Sequence, residues 1–240
     1  MKKLFYDFHL HSCLSPCGDN DMTPNNIVNM AQLCGLDAIA LTDHNTCRNC
    51  PAVGEIARRQ GLLFIPGMEL TTAEEVHVLC LFPTLDAAMA WSEFVYAQLP
   101  PILNDTSIFG EQRICNALDE VTDTEKTLLI SATGIDIYQV QPLLDPYGAI
   151  AIPAHVNRNS FSLITNLGFY DPAMRFSCME LTLSADQTAF VKDNPTLAAL
   201  PHIQCSDAHN LEDLQEAQHS LTVTQQTPQA MIAALRDAIL

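Results

Sequence analysis

Six apolar runs in this chain each carry a histidine or a carboxylate at one end, and their placement limits the possible folds more than any other feature. Leu4-Phe5-Tyr6 leads into Asp7-Phe8-His9-Leu10-His11, and Asp37 to Leu41 leads into Thr42-Asp43-His44-Asn45. Leu62 to Ile65 leads through Pro66-Gly67 to Glu69, and His77 lies in the run Val76 to Phe82. Ala149 to Ile152 ends at Pro153-Ala154-His155, and His202 to Cys205 ends at Ser206-Asp207-Ala208-His209. Six of the eight histidines, His9, His11, His44, His77, His155 and His209, belong to these motifs, and of the six only His77 does not close its run. In barrels of parallel strands and helices, active sites are built at the C-terminal strand ends. The pattern therefore predicts an α/β chain with a histidine and carboxylate cluster at one rim. His202 and His219 are read as packing or surface residues.

Helical signals lie between the runs. Thr23-Pro24 starts a helix carrying Ile27, Val28, Met30, Ala31 and Leu33, and Gly35 ends it. A second helix starts near Pro51 and stops by Gly61. Strands alternating with helices over short connections predict a parallel sheet flanked by helices. Further on, Leu85 to Leu99 reads as a helix with the only tryptophan, Trp91. Residues 102–126 read as loops with short helical pieces around Ile114 to Leu118. A helix from Ile137 to Leu144, a strand-like run from Phe176 to Leu183, and a final helix opened by Thr227-Pro228 and reaching Ile239 complete the reading.

If Asp7 to His11 is extended, side-chain alternation puts Asp7, His9 and His11 on one face and Phe8 and Leu10 on the other. Two imidazoles side by side suit a metal ion, with Asp7 as an acceptor that fixes the His9 ring. The formal charge of −17 and the lack of any basic run argue against long duplex nucleic acid and anionic membranes as partners. A small anion held by metal ions remains compatible. Asp7 and His9 interrupt the N-terminal apolar run too early for a signal peptide, and no run is long enough to span a membrane, so a cytoplasmic protein is expected. Nine scattered cysteines, several inside apolar runs, read as reduced thiols. Cys47-Arg48-Asn49-Cys50 lacks a second pair that would complete a zinc or iron-sulfur site.

Together the motifs Asp-Phe-His-Leu-His (7–11), Thr-Asp-His-Asn (42–45), Ile-Pro-Gly-Met-Glu (65–69), His77, Pro-Ala-His (153–155) and Ser-Asp-Ala-His (206–209) resemble the PHP (polymerase and histidinol phosphatase) domain family over nearly the whole chain. The resemblance implies a distorted seven-stranded (β/α) barrel, one PHP domain over residues 1–240, with a modest insertion around 85–126. It implies two or three divalent ions, Zn, Mn or Fe. His9, His11, Glu69 and Asp207 would hold the first. Asp19, His44 and His209 would hold the second, with Asp21 as the alternative to Asp19, and Glu69, His77 and His155 the third, Glu69 bridging.

Such a cluster predicts phosphoester hydrolysis by a metal-bound hydroxide, because adjacent ions acidify water and clamp phosphate oxygens in line. Arg158 is a candidate clamp for the phosphate, against the alternative of a solvated loop arginine, and Arg48 has a weaker case. Asp43 is expected to orient a ligand, with an acid or base role still open. The expected substrate is a small phosphomonoester or nucleotide. The alternatives are a 5'-3' exonuclease on short oligonucleotides and a metal-binding regulatory module without turnover.

Overall fold

The computed structural model describes residues 1–198 and 200–237. Strand β1 (Lys2–Asp7) pairs in parallel with β2 (Ala38–Leu41), reached through helix α1 (Pro24–Leu33). Pro24, with its preset φ, occupies the first helical turn, and Ile27, Val28 and Ala31 form the buried stripe. Thr23 holds the N-cap position, but its hydroxyl donates to Asp119 instead of capping the helix. At the other end Leu36 N–H donates to Ala31 O and Gly35 N–H to Gln32 O, a closure that needs the φ of +76° at Gly35. Helix α2 (Cys50–Gln60) then leads to β3 (Leu63–Thr71), parallel to β2.

The sequence reading ends the apolar run at Ile65, whereas β3 continues through Pro66-Gly67 to Thr71. Pro66 ends the register with β2 opposite Leu41, and its carbonyl accepts Phe82 N–H at 2.8 Å. From Gly67 onward β3 pairs antiparallel with β4 (His77–Leu81), Glu69 lying opposite Leu79. A Cβ on Gly67 would sit 2.9 Å from Thr42 Cγ2 and 3.1 Å from Leu41 O, so a side chain there would crowd the point where β3 changes partner. The all-parallel expectation fails here because the link from Thr71 to His77 is far too short for a crossover. Reversal of β4 puts its first residue, His77, at the rim where the other strands end.

Helix α3 (Leu85–Tyr96) buries Trp91 against Phe82 and Tyr147. After the short α4 (Thr106–Phe109) comes a hairpin, β5 (Gln112–Cys115) and β6 (Val121–Glu125), where loops with helical pieces were expected. Asn116 Oδ1 accepts the amides of Leu118 and Glu120, and Asp119 takes a φ of +61°, which turns the chain. The polar sequence hides these strands because much of their surface faces solvent.

Helix α5 (Ile137–Leu144) is closed by an Asp136 and Gln139 capping box, and β7 (Ile150–Pro153) runs antiparallel to β4. Then follow α6 (Leu163–Leu167), β8 (Met179–Thr182), α7 (Gln187–Asp193) and β9 (His202–Cys205), parallel to β8. Strand β10 (Ser220–Val223), not foreseen from the sequence, pairs antiparallel with β1, and α8 (Pro228–Arg236) follows. Ile239, assigned to that helix from the sequence, lies outside the described residues.

The ladders form a six-stranded sheet, β10-β1-β2-β3-β4-β7, and the pair β8-β9. Val156 N–H to Glu180 O links the end of β7 to β8, and His11 N–H to Ala208 O links the segments after β1 and β9. The result is a curled, mixed α/β sheet with both faces covered. Ala38, Ala40, Ile65, Leu79 and Ile152 pack on one face, while Ile39, Leu41, Met68 and Val78 pack on the other. By strand alternation Glu69 and His77 share the face of Leu79. Alternation does not carry past β1, which ends at Asp7: Phe8 and Leu10 belong to different sides of the core.

Candidate metal centre

Glu69, 1% exposed, sits among five imidazoles. Its Oε1 lies 2.9 Å from His77 Nδ1 and 3.2 Å from both His9 Nε2 and His155 Nε2. Its Oε2 lies 3.2 Å from His11 Nε2 and from His44 Nδ1. Asp207 Oδ1 approaches His9 Nε2 at 3.1 Å and His11 Nε2 at 3.3 Å. Two segments enter the cluster in the left-handed backbone region, His155 at φ +29° and Asp207 at φ +54°. These values swing the chain ends of β7 and β9 inward, a local strain held by the packed sheet.

The structure brings His9, His11, Glu69 and Asp207 together, with ligand atoms within 4.8 Å of one another, and does the same for His44, Glu69 and His77. His155 reaches Glu69. Asp19 is not brought in: it is exposed, and its carboxylate accepts Asp21 N–H at 2.8 Å in a local turn. Asp21 is exposed as well. The third group of this kind is His11, Cys17, His44 and His209.

The surroundings orient the ligands. His9 Nδ1 lies 3.0 Å from both oxygens of Glu180, a buried carboxylate on β8 that also accepts His155 N–H. Asp7, expected to fix the His9 ring, instead accepts the backbone amides of His9 and Ser206. The sequence marks Glu180 only as a lone acid in the apolar run Met179-Glu180-Leu181, with no histidine beside it as Asp7 has. Asp43 accepts from Ser12 and from the Ser15 hydroxyl, each at 2.7 Å, and Ser15 Oγ lies 3.0 Å from His11 Nδ1. Arg158 NH1 lies 2.6 Å from Asp207 Oδ2 at the mouth. Arg48 points elsewhere, to Glu125 at 2.7 Å and over the Tyr96 ring. Phe161, at φ +51°, stacks on His77 with ring centroids 4.8 Å apart.

Burial opposes ionisation of Glu69, yet the imidazoles around it hold its pKa well below the usual carboxylate range. Burial likewise opposes charge on His9, but Asp207, Glu180 and Glu69 push its pKa well above the ordinary value. For His11, burial is outweighed by Asp207 and Glu69, which raise it to about 9. Burial lowers His44 far below its usual value, and burial with His11 nearby lowers His209 to about 4. Burial raises Asp43 and takes Asp7 to about 6.

The donor set fits divalent transition ions. Imidazole and carboxylate suit zinc, manganese and iron. Buried nitrogens of His44, His77 and His155 form no hydrogen bond, a costly state for polar atoms, and ligation would relieve it at His44, whose Nδ1 is the one of the three that faces Glu69. Two neutral histidines beside carboxylates already ionised are the protonation states that ligation requires.

A curled α/β sheet with a buried cluster of histidines and carboxylates at one rim defines the class of this protein. The PHP domain profile matches residues 7–144, and the chain belongs to the PHP domain family. Over 76 residues it is 37% identical to the 5'-3' exoribonuclease Rnm of Salmonella typhimurium, a match covering 31% of this chain and 25% of that protein. The fold is similar to the lesion-specific endonuclease EndoQ of Pyrococcus furiosus, with a TM-score of 0.70 and 19% identity over 98% of this chain and 56% of that one. Endonuclease Q has also been solved with a 27-mer duplex substrate carrying an abasic lesion at the active site; that likeness has a TM-score of 0.65 and 18% identity, over 98% of this chain and 57% of that one. An amidohydrolase from Chromobacterium violaceum with bound sulfate matches with a TM-score of 0.61 and 18% identity, over 98% of this chain and 97% of that one. The chain thus spans a quarter of the exoribonuclease in the matched segment and little more than half of the endonuclease.

Proposed function

We propose that this chain is a metal-dependent phosphoesterase whose substrate is a small phosphomonoester or a nucleotide. The observation that carries the reading is the position of Glu69, with one carboxylate oxygen facing His9, His77 and His155 and the other facing His11 and His44. A carboxylate shared in this way is suited to bridge two ions. Zinc, manganese or iron bound there would supply Lewis acidity, acidifying water and neutralising phosphate oxygens.

The chain's own groups complete the task. Glu180 fixes the His9 ring, and Asp43, through Ser15, fixes that of His11. Arg158 exchanges Asp207 for an oxygen of the phosphate at the mouth. Seven strands, β1 to β4 with β7 to β9, act as one barrel in a single PHP domain over residues 1–240, with α3 to β6 as its insertion. Nine free thiols suit the reducing cytoplasm. Among the described residues no helix is long and apolar enough to cross a membrane.

The 37% identity to an exoribonuclease favours a second reading, 5'-3' hydrolysis of short oligonucleotides. The sequence-based exclusion of long duplexes loses support, because a similar fold holds a 27-mer duplex. Product release from sugar phosphates, mononucleotides, bis-phosphorylated nucleotides, oligonucleotides and duplex tests these readings, with Glu69→Gln as the blank. Turnover that vanishes in the blank is expected, and the preferred substrate separates phosphatase from nuclease. Full activity of Glu69→Gln would rule out the bridging role.

A further inference from the structure

The segment between Ser12 and Met22 is a chain of tight turns over the cluster. Ser15 N–H donates to Ser12 O, Gly18 N–H to Ser15 O, and Met22 N–H to Asp19 O, while Cys13 N–H donates to Met22 O and closes the loop. Asp19 N–H donates to His209 O at 2.9 Å, which pins the loop to the segment after β9. A Cβ at residue 18 would lie 2.2 Å from Ser12 O, so the chain can turn back there only as glycine. The residue before that turn is Cys17. Its Sγ and the ligand nitrogens of His11, His44 and His209 all lie within 4.8 Å of one another.

Three further observations single out this thiol. His44, 3% exposed, presents an Nδ1 that forms no hydrogen bond, with Glu69 Oε2 3.2 Å away. His11 Nε2 is shared by Glu69 and Asp207, so beside Glu69 the remaining donor of the group next to His44 and His209 is the Cys17 thiol. The carboxylates nearest in sequence, Asp19 and Asp21, are exposed and lie outside the group.

We propose that Cys17 is a thiolate ligand at the second metal position, together with His44 and His209. The inference rests on the metal-centre reading above. Ligation is an acid-base step: the thiol S–H bond breaks, its proton passes to solvent, and the sulfur lone pair forms the bond to the ion, with no change of oxidation state. Three protein ligands leave one position open, the arrangement of catalytic zinc sites. Thiolate also makes this position softer than the neighbouring one, where two carboxylates meet two imidazoles. The second position therefore selects zinc or cobalt, and the first accepts manganese or iron as well.

The test is an anaerobic cobalt(II) titration of the full chain, followed by absorption and by metal analysis. A sulfur-to-cobalt charge-transfer band is expected in the native protein. Cys17→Ser should lose the band and bind one ion fewer, Cys17→Asp should recover the ion without the band, and Asp19→Asn should keep both. Bound zinc should also slow alkylation of Cys17, the one exposed cysteine. Cobalt binding with no thiolate band, or a band that survives Cys17→Ser, would overturn the proposal and leave the metal centre standing. Failure to bind any ion would overturn both.

Discussion

The guanidinium of Arg158 lies 2.6 Å from Asp207 Oδ2, so the arginine at the mouth already has a carboxylate partner from the cluster. A phosphate arriving there exchanges one anion for another. Arg158→Ala should therefore act on substrate binding, raising KM by roughly 10- to 100-fold, as expected for loss of a charged hydrogen bond, with a smaller effect on kcat. Steady-state kinetics on the preferred substrate checks this, and unchanged KM and kcat would return Arg158 to a purely solvated role.

Glu180→Gln removes the charge that holds the His9 ring but keeps the shape of the side chain. Loss of a partner behind a metal-binding histidine typically costs about 10- to 100-fold in metal affinity or activity. Competition with a chromophoric chelator should show a drop of that order, whereas Asp7→Asn should have a smaller effect on affinity.

Metal-free protein should lose stability as pH rises from neutral. Folding raises the His11 pKa from 6.5 to about 9, so folding favours its protonated form. That contribution is complete below about 6.5 and disappears as pH passes through about 9. His9 is shifted in the same direction and adds to the loss. Metal ions need both rings deprotonated, so zinc affinity should rise over the same window. Urea unfolding of the chelator-treated protein at several pH values, with and without zinc, measures the opposite slopes.

Gly67→Ala should destabilise the protein by about 1–3 kcal/mol, the usual cost of overpacking. The new methyl group would meet Thr42 Cγ2, Leu81 Cδ2 and Leu41 O at about 3 Å. Because Glu69 is two residues further along the same strand, metal content should fall as well. Chemical denaturation and metal analysis of the variant test both effects.

Much of what the candidate centre brings together was legible in the sequence, because most of these residues follow or open an apolar run and strand ends have fixed places in a sheet. Asp207 and His209 were readable for this reason. Direction was less legible: nothing in Val76 to Phe82 says that β4 runs backward, and only the short link from Thr71 shows it. Spacing favoured Asp19 over Asp21 and gave no sign of Cys17, since the turn at Gly18 places the Cys17 thiol, and neither carboxylate, near His11, His44 and His209. The hairpin at Gln112–Glu125 was missed because its pairing is fixed by side-chain amides, Gln112 and Asn116 above all, and not by an apolar alternation. Strand β10 was missed because only Leu221 and Val223 mark it.

The group formed by His9, His11, Glu69 and Asp207 joins segments far apart in the sequence, His9 and Asp207 being 198 positions apart. A chain growing on the ribosome carries its first two ligands long before the last one is made. The four-residue group is not complete until the segment after β9 has been made and has docked beside the end of β1. A product stalled before that segment lacks Asp207 and therefore holds only part of the group.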